Sequence, residues 1–107
     1  MVNSRTKGAA GERELARLLR GKGYECRRGV QYHGGADSPD VIGLPGIHIE
    51  CKRVERLNID KAMEQARHDT GDAMPAVFHR RNGKKWLVTM ELDDWLRIYT
   101  ESAGDKR

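Results

Sequence analysis

The chain has 107 residues, of which 37% are hydrophobic and 34% are charged, and its net charge is +4. This length predicts a single domain over residues 1–107 with one modest core, and we expect loose ends at residues 1–4 and 102–107. No apolar run approaches the roughly 18 residues of a membrane helix, and the start has no apolar signal-peptide segment. Two cysteines do not make a disulfide framework, so we expect a soluble protein of a reducing cytoplasm, away from the membrane.

Charge is distributed unevenly along the chain. Residues 1–36 carry a net charge of +5, residues 37–60 carry −2 and residues 61–107 carry +1. A basic surface favours a polyanionic partner such as nucleic acid, although a net charge of +4 also suits ordinary solubility. Acidic residues in the middle of such a chain would repel phosphate unless a cation lay between them.

The first predicted element is a helix over Ser4–Lys22. Its apolar stripe consists of Leu15, Ala16, Leu18 and Leu19. Glu12 lies three, four and seven residues before Leu15, Ala16 and Leu19, so it faces the core, where a carboxylate needs a partner. Glu14 is off that face and is predicted to be solvated.

The remaining elements predict an α/β fold, a mixed sheet covered by helices. In chain order they are strands over Tyr24–Arg28, Asp40–Leu44 and Ile47–Arg53, a helix over Asn58–Thr70, strands over Ala76–Arg80 and Lys85–Met90, and a helix over Leu92–Glu101. Asn58 is predicted to cap the second helix and Gly71 to end it. Residues 29–38, with Gly34-Gly35, are predicted to form a loop.

Two acidic residues fall on neighbouring predicted strands that are joined by a tight turn. Depending on the register, Asp40 and Glu50 lie directly opposite, roughly 5 Å apart, or diagonally, roughly 7–8 Å apart. Strand alternation places Lys52 on the face of Glu50, and the side chain of Cys51 on the other face. Such oxygen ligands suit Mg²⁺ or Mn²⁺, with a lysine beside the metal to position water. The alternative is a structural salt bridge between the acids and Lys52.

The pattern Pro39-Asp40, nine intervening residues and then Glu50-Cys51-Lys52 resembles the PD-(D/E)XK nuclease signature. Apolar strand residues flank both halves, and a preceding helix carries Gly11-Glu12-Arg13-Glu14-Leu15. With Gly34-Gly35 before the first acid, the set is similar to the archaeal and viral Holliday junction resolvase branch, over residues 7–90. The resemblance implies a restriction-endonuclease-like αβββαβ core.

By position, the resemblance implies that Asp40, Glu50 and the backbone carbonyl of Cys51 bind Mg²⁺, for which Mn²⁺ can substitute. Glu12 would complete the metal shell, through water, and Lys52 would handle the nucleophilic water. The expected reaction is hydrolysis of a DNA phosphodiester that leaves a 5′-phosphate. Two cuts in a four-way junction require two active sites, so a homodimer is expected, with the apolar stripe of the last helix as its candidate interface.

Candidate DNA contacts form a basic strip near the N-terminus together with polar residues around the site. They are Arg5, Lys7, Arg13, Arg17, Arg28, His33, Ser38 and Gln65. Each also has an ordinary interpretation as part of a solvated helix face, a loop or a turn. Two alternative functions remain: another nuclease of the same fold (a nickase, an exonuclease or a repair or restriction-type enzyme), and a non-catalytic DNA-binding accessory protein.

Overall fold

The computed structural model describes residues 4–29 and 39–104, with side chains described over 8–29 and 39–103. The elements are α1 (Ser4–Gly21), β1 (Arg27–Arg28), β2 (Val41–Ile42), β3 (Ile47–Arg53), α2 (Ile59–Asp69), β4 (Met74–Arg80), β5 (Leu87–Met90) and α3 (Leu92–Gly104). They form one five-stranded sheet in the order β1-β2-β3-β4-β5. β3 and β4 are parallel and the other neighbours are antiparallel, which confirms the predicted mixed sheet with flanking helices.

The helices cover the sheet on both faces and divide the core into two clusters. On the α1 face, eight buried residues pack together: Leu15, Ala16, Cys26, Val41, Ile49, Cys51, Ala76 and Phe78. On the α2 face the cluster is Ala62, Met63, Ala66 and Val77. The prediction that Leu18 belongs to the apolar stripe of α1 is wrong. Leu18 is 41% exposed, because the buried face of the helix centres on Leu15 and Ala16.

The backbone of α1 lies unusually close to β3. A Cβ added at Gly11 would lie 2.6 Å from the Cβ of Arg53, a distance that real side chains do not adopt. Glycine at this position therefore allows the helix to pack directly on the strand. That packing places Glu12, the next residue, at the edge of the sheet beside β1 and β2.

β1 and β2 are shorter than predicted because the chain bends on both sides of the β2 segment. Gly43 follows with φ of +123°, and a Cβ there would lie 2.3 Å from the carbonyl oxygen of Glu25. Only Val41 and Ile42 remain to pair with Arg27 and Arg28. The last helix extends three residues past its predicted end.

α2 begins as predicted and ends differently. The side chain of Asn58 accepts a hydrogen bond from the backbone N–H of Lys61 at 3.1 Å, which confirms the cap. The end is set by Thr70, whose backbone is extended and whose hydroxyl donates to the carbonyl of Ala73 at 2.6 Å. The prediction that Gly71 ends the helix is therefore wrong. None of the helices described is long and apolar enough to cross a membrane.

Candidate functional site

The register of β2 and β3 determines how the two acidic residues meet. Val41 is paired with Ile49, and the backbone N–H of Asp40 donates to the carbonyl of Ile49 at 2.8 Å. Asp40 therefore lies directly opposite Glu50, the closer of the two registers that the sequence allowed. The backbone N–H of Cys51 donates to Oδ2 of Asp40 at 2.8 Å and orients that carboxylate.

Glu50 and Asp40 form a buried pair of acids at the centre of the candidate site. Glu50 is 5% exposed, and burial together with the charge of Asp40 raises its pKa to about 7. Burial also raises the pKa of Asp40. Two facing carboxylates with little access to water favour either a proton or a cation between them. The donor set therefore fits a hard divalent cation.

Lys52 follows the two acids on the same face of β3. Its Nζ lies 4.0 Å from Oε2 of Glu50, and a third of its side chain is exposed. This long contact does not neutralise Glu50, whose pKa is raised despite the lysine. At 4.0 Å this contact is at the outer limit of an ion pair, so a structural salt bridge between Glu50 and Lys52 would be weak.

Glu12 reaches the same end of the sheet from α1. Its Oε1 accepts a hydrogen bond from Nε of Arg28 at 2.9 Å, and burial raises its pKa, with a further contribution from the charge of Asp40. Its inward orientation is as predicted, with Arg28 as its partner. Among the described residues, no group of three or more His, Cys, Asp or Glu is close enough to hold a metal by itself.

The predicted DNA contacts occupy several places. Arg13 and Arg17 are exposed on α1 and line an open cleft of about 740 Å³. Arg28 lies on β1 against Glu12, and Nε2 of Gln65 on α2 donates to Oδ2 of Asp69 at 3.5 Å. Four candidates lie outside what the structure describes, either entirely or for their side chains: His33, Ser38, Arg5 and Lys7.

Glu14 is partly solvated, with 39% of its side chain exposed, and it also binds three partners that the sequence did not indicate. Its carboxylate accepts hydrogen bonds from Nε of Arg53 at 3.2 Å, from Arg80, and from the indole Nε1 of Trp86 at 3.0 Å. Arg80 and Trp86 are 66 and 72 residues away along the chain. Helical periodicity could not reveal these partners, because the β4–β5 hairpin brings them to α1.

Sequence reasoning also missed the buried polar residues beside Glu50. His48 is 5% exposed, and Asp69, in the last turn of α2, is 8% exposed. The charge of Asp69 acts on both His48 and Glu50. His48 comes two residues before Glu50 on β3, so strand alternation puts both on one face, but only the packing of α2 shows that this face is covered here.

Two other histidines have hydrogen-bonding partners. Nδ1 of His68 lies 3.1 Å from Oδ1 of Asp69, and Nε2 of His79 lies 2.9 Å from the hydroxyl of Thr89. The first pair is adjacent in sequence, whereas the second joins β4 to β5. Trp86 is half-buried against the core, but Trp95 and Tyr99 stack on each other with ring centres 5.4 Å apart at the surface.

The αβββαβ fold, with an Asp facing a Glu-x-Lys strand, defines a nuclease of the PD-(D/E)XK class. Over residues 3–99 the chain matches the model of one family, archaeal Holliday junction resolvase (Hjc), and the chain belongs to that family. The family consists of resolvases, so the chain is a nuclease that acts on branched DNA.

A solved structure supports the same assignment. The chain is similar to Hjc of Archaeoglobus fulgidus, a Holliday junction resolvase from an archaeal hyperthermophile, solved at 1.6 Å resolution. The two are 25% identical, the match covers 78% of this chain and 72% of that one, and the TM-score is 0.55. No curated protein sequence matches the chain significantly.

Proposed function

We propose that the chain is a Mg²⁺-dependent endonuclease that resolves four-way DNA junctions with Asp40, Glu50 and Lys52 at its active centre. One observation carries the proposal: Asp40 lies directly opposite a buried Glu50 whose pKa is raised to about 7. Such a pair is unfavourable for a protein that needs it only for stability. The Asp40–Glu50 pair is suited to a metal site, in which both carboxylates become ionised when a cation binds between them.

Asp40 and Glu50 would hold the ion with the backbone carbonyl of Cys51. The N–H and C=O of a strand residue point to the same side, so the N–H bond from Cys51 to Asp40 supports a carbonyl directed toward the same acid. Glu12 would join through a water, because Arg28 already engages its carboxylate. When bound, Mg²⁺ would lower the pKa of a water and stabilise the charge that develops on the phosphate; Mn²⁺ would substitute.

Lys52 would orient the attacking water and offset negative charge on the phosphate. Its ammonium is partly exposed and is 4.0 Å from Glu50, so it can contact a ligand at the surface while remaining beside the acids. Water would attack the phosphorus, and the bond to the leaving 3′ oxygen would break, which leaves a 5′-phosphate.

The exposed arginines of α1 would bind the DNA backbone. Arg13 and Arg17 are four residues apart, so they share one helix face, and Lys22 lies on the rim of the same cleft. Contacts of this kind hold phosphates without reading bases, which suits recognition of junction shape. Gln65 lines a second groove together with Lys52, and we propose that it contacts DNA close to the cut. His33, Ser38, Arg5 and Lys7 stay predictions as further contacts.

A homodimer would supply the two active sites that paired cuts require. α3 and β5 expose large apolar side chains: Leu87, Val88, Leu92, Trp95, Leu96 and Tyr99. An apolar surface of this kind favours an interface, and a two-fold axis would pair it with itself. Light scattering should give twice the 12.1 kDa chain mass for the wild type and the monomer mass for Leu96→Glu, with Arg97→Glu as the control. A monomeric wild type would refute the dimer.

Cleavage of a labelled four-way junction beside a matched linear duplex tests the nuclease proposal. We expect paired cuts on the junction with Mg²⁺, none with chelator, and a loss of at least about 100-fold for Glu50→Gln and Lys52→Ala with junction binding retained. Glu64→Gln, an exposed glutamate on α2, is the matched control and should cut normally. Equal cutting of both DNAs would remove junction selectivity, and full activity of Lys52→Ala would refute its role.

A further inference from the structure

His48 is a buried histidine beside the acids that the proposed function leaves without a role. It lies on β3 two residues before Glu50, and therefore on the same face of the sheet. Its Nε2 atom is fully buried and has no hydrogen-bond partner among the residues that the structure describes. Buried ring nitrogens are nearly always bonded, so an unbonded one calls for an explanation.

The carboxylate of Glu50 lies close to this nitrogen. Nε2 of His48 lies 3.7 Å from Oε1 of Glu50, slightly longer than a hydrogen bond. A ring nitrogen of histidine presents either an N–H or a lone pair, and only the N–H is attracted to a carboxylate oxygen. A carboxylate that holds a cation is ionised, and an ionised oxygen is the stronger acceptor for such an N–H. The two atoms are therefore placed so that a small movement of either side chain would close a hydrogen bond between them.

We propose that His48 is a positioning residue for the metal site: its Nε2–H donates to Oε1 of Glu50 once Glu50 binds a cation, and this bond fixes the orientation of the carboxylate. The inference rests on the proposed function, because it requires Glu50 to be a metal ligand. Outer partners that orient metal-binding carboxylates commonly change metal affinity by 10-fold to 100-fold.

The surroundings of His48 favour this direction of hydrogen bonding. Asp40 and Asp69 both act on the ring as negative charges, and these favour a donor rather than a lone pair facing the acids. Asp69 is itself bonded by the side chains of Gln65 and His68. Packing of α2 over the ring excludes water that could otherwise replace the histidine as a donor.

Calorimetric titration with Mn²⁺, without DNA, separates this role from a structural one. His48→Leu keeps similar volume without the donor, and His48→Gln places an amide N–H near the position of Nε2. We expect His48→Leu to bind Mn²⁺ about ten-fold more weakly, and His48→Gln to bind close to the wild-type value. His79→Leu, which removes the half-buried partner of Thr89, is the matched control and should bind normally.

Thermal melting in chelator should show His48→Leu at or above the wild-type stability, because the variant removes an unbonded buried nitrogen. If His48→Leu does not fold, nitrogen-15 spectra of the wild-type ring during Mg²⁺ titration decide the question: Nε2 should stay protonated and its proton should become protected. Three results would overturn this inference alone: an Mn²⁺ affinity of His48→Leu equal to that of the wild type, a failure of His48→Gln to restore Mn²⁺ binding, or an Nε2 that carries no proton. Absence of Mn²⁺ binding to the wild type would overturn the proposed metal site as well.

Discussion

Replacing Glu50 with glutamine should make the metal-free protein more stable at neutral and alkaline pH. The folded state raises the pKa of Glu50 from 4.5 to about 7, chiefly by burial and then through the charge of Asp40. Above pH 7 the native protein carries a charge that the unfolded chain accommodates more easily. The raised pKa corresponds to about 3 kcal/mol of lost stability, at about 1.4 kcal/mol per pH unit.

The sign of the effect defines the pH window. The native state binds the Glu50 proton more tightly than the unfolded state does, so wild-type stability should fall as pH rises from 4.5 to 7 and then level off. The stability of Glu50→Gln should not show this fall between pH 4.5 and pH 7, because glutamine does not ionise. At pH 8 the variant should therefore exceed the wild type by as much as about 3 kcal/mol, and at pH 4.5 the two should be similar.

Urea denaturation at half-unit steps between pH 4.5 and pH 8, with chelator present, measures the difference. Glu64→Gln makes the same chemical change at an exposed position and should follow the wild-type curve. Added Mg²⁺ should raise the stability of the wild type at pH 8 and leave Glu50→Gln unchanged, because ligand binding stabilises only the state that binds. Parallel curves for wild type and Glu50→Gln, or a variant less stable at pH 8, would refute the reasoning.

Three further predictions concern the rest of the molecule. Arg17→Ala should weaken junction binding and reduce the slope of log affinity against log salt by about 1, measured by fluorescence anisotropy; an unchanged slope would exclude a phosphate contact. Glu14→Gln should destabilise the protein by about 1–2 kcal/mol in urea, since two arginines and an indole lose a charged acceptor, whereas the exposed Glu101→Gln should be neutral. Gly43→Ala should lower the melting temperature because its φ and the nearby carbonyl exclude a Cβ, and Gly8→Ala, in open space on α1, should not.

Local patterns in the sequence were sufficient to predict the strand that carries the site. Alternation along β3 separates Ile49 from Glu50, and its observed bounds match the predicted ones. The turn after β2 limits the pairing to two registers, both of which bring Asp40 near Glu50. Strand alternation and the register of two strands joined by a tight turn involve about ten residues, and over so short a distance the chain can adopt few pairings.

Contacts between distant segments could not be predicted in the same way. The partners of Glu14 depend on where the β4–β5 hairpin packs, and the burial of His48 depends on α2. β2 is short because the backbone turns at Gly43, where φ is +123° and the close approach of Glu25 leaves no room for a Cβ, and hydrophobic periodicity does not reveal such a turn. Composition and spacing thus predicted which residues share a strand face, but not which helix or hairpin covers that face.

The cluster around Glu14 has a consequence for the order of folding. It joins α1 to residues 39, 66 and 72 positions further along the chain, and contacts of such separation form late because a long loop must close first. Weakening the cluster should then hasten unfolding more than it slows folding. Glu12 lies two residues from Glu14 on the same helix, so the β4–β5 hairpin strengthens the hold that Gly11 and Arg28 already give it at the sheet. We therefore expect the acids of β2 and β3, which are close in sequence, to meet early, and the β4–β5 hairpin to secure α1 against the sheet later.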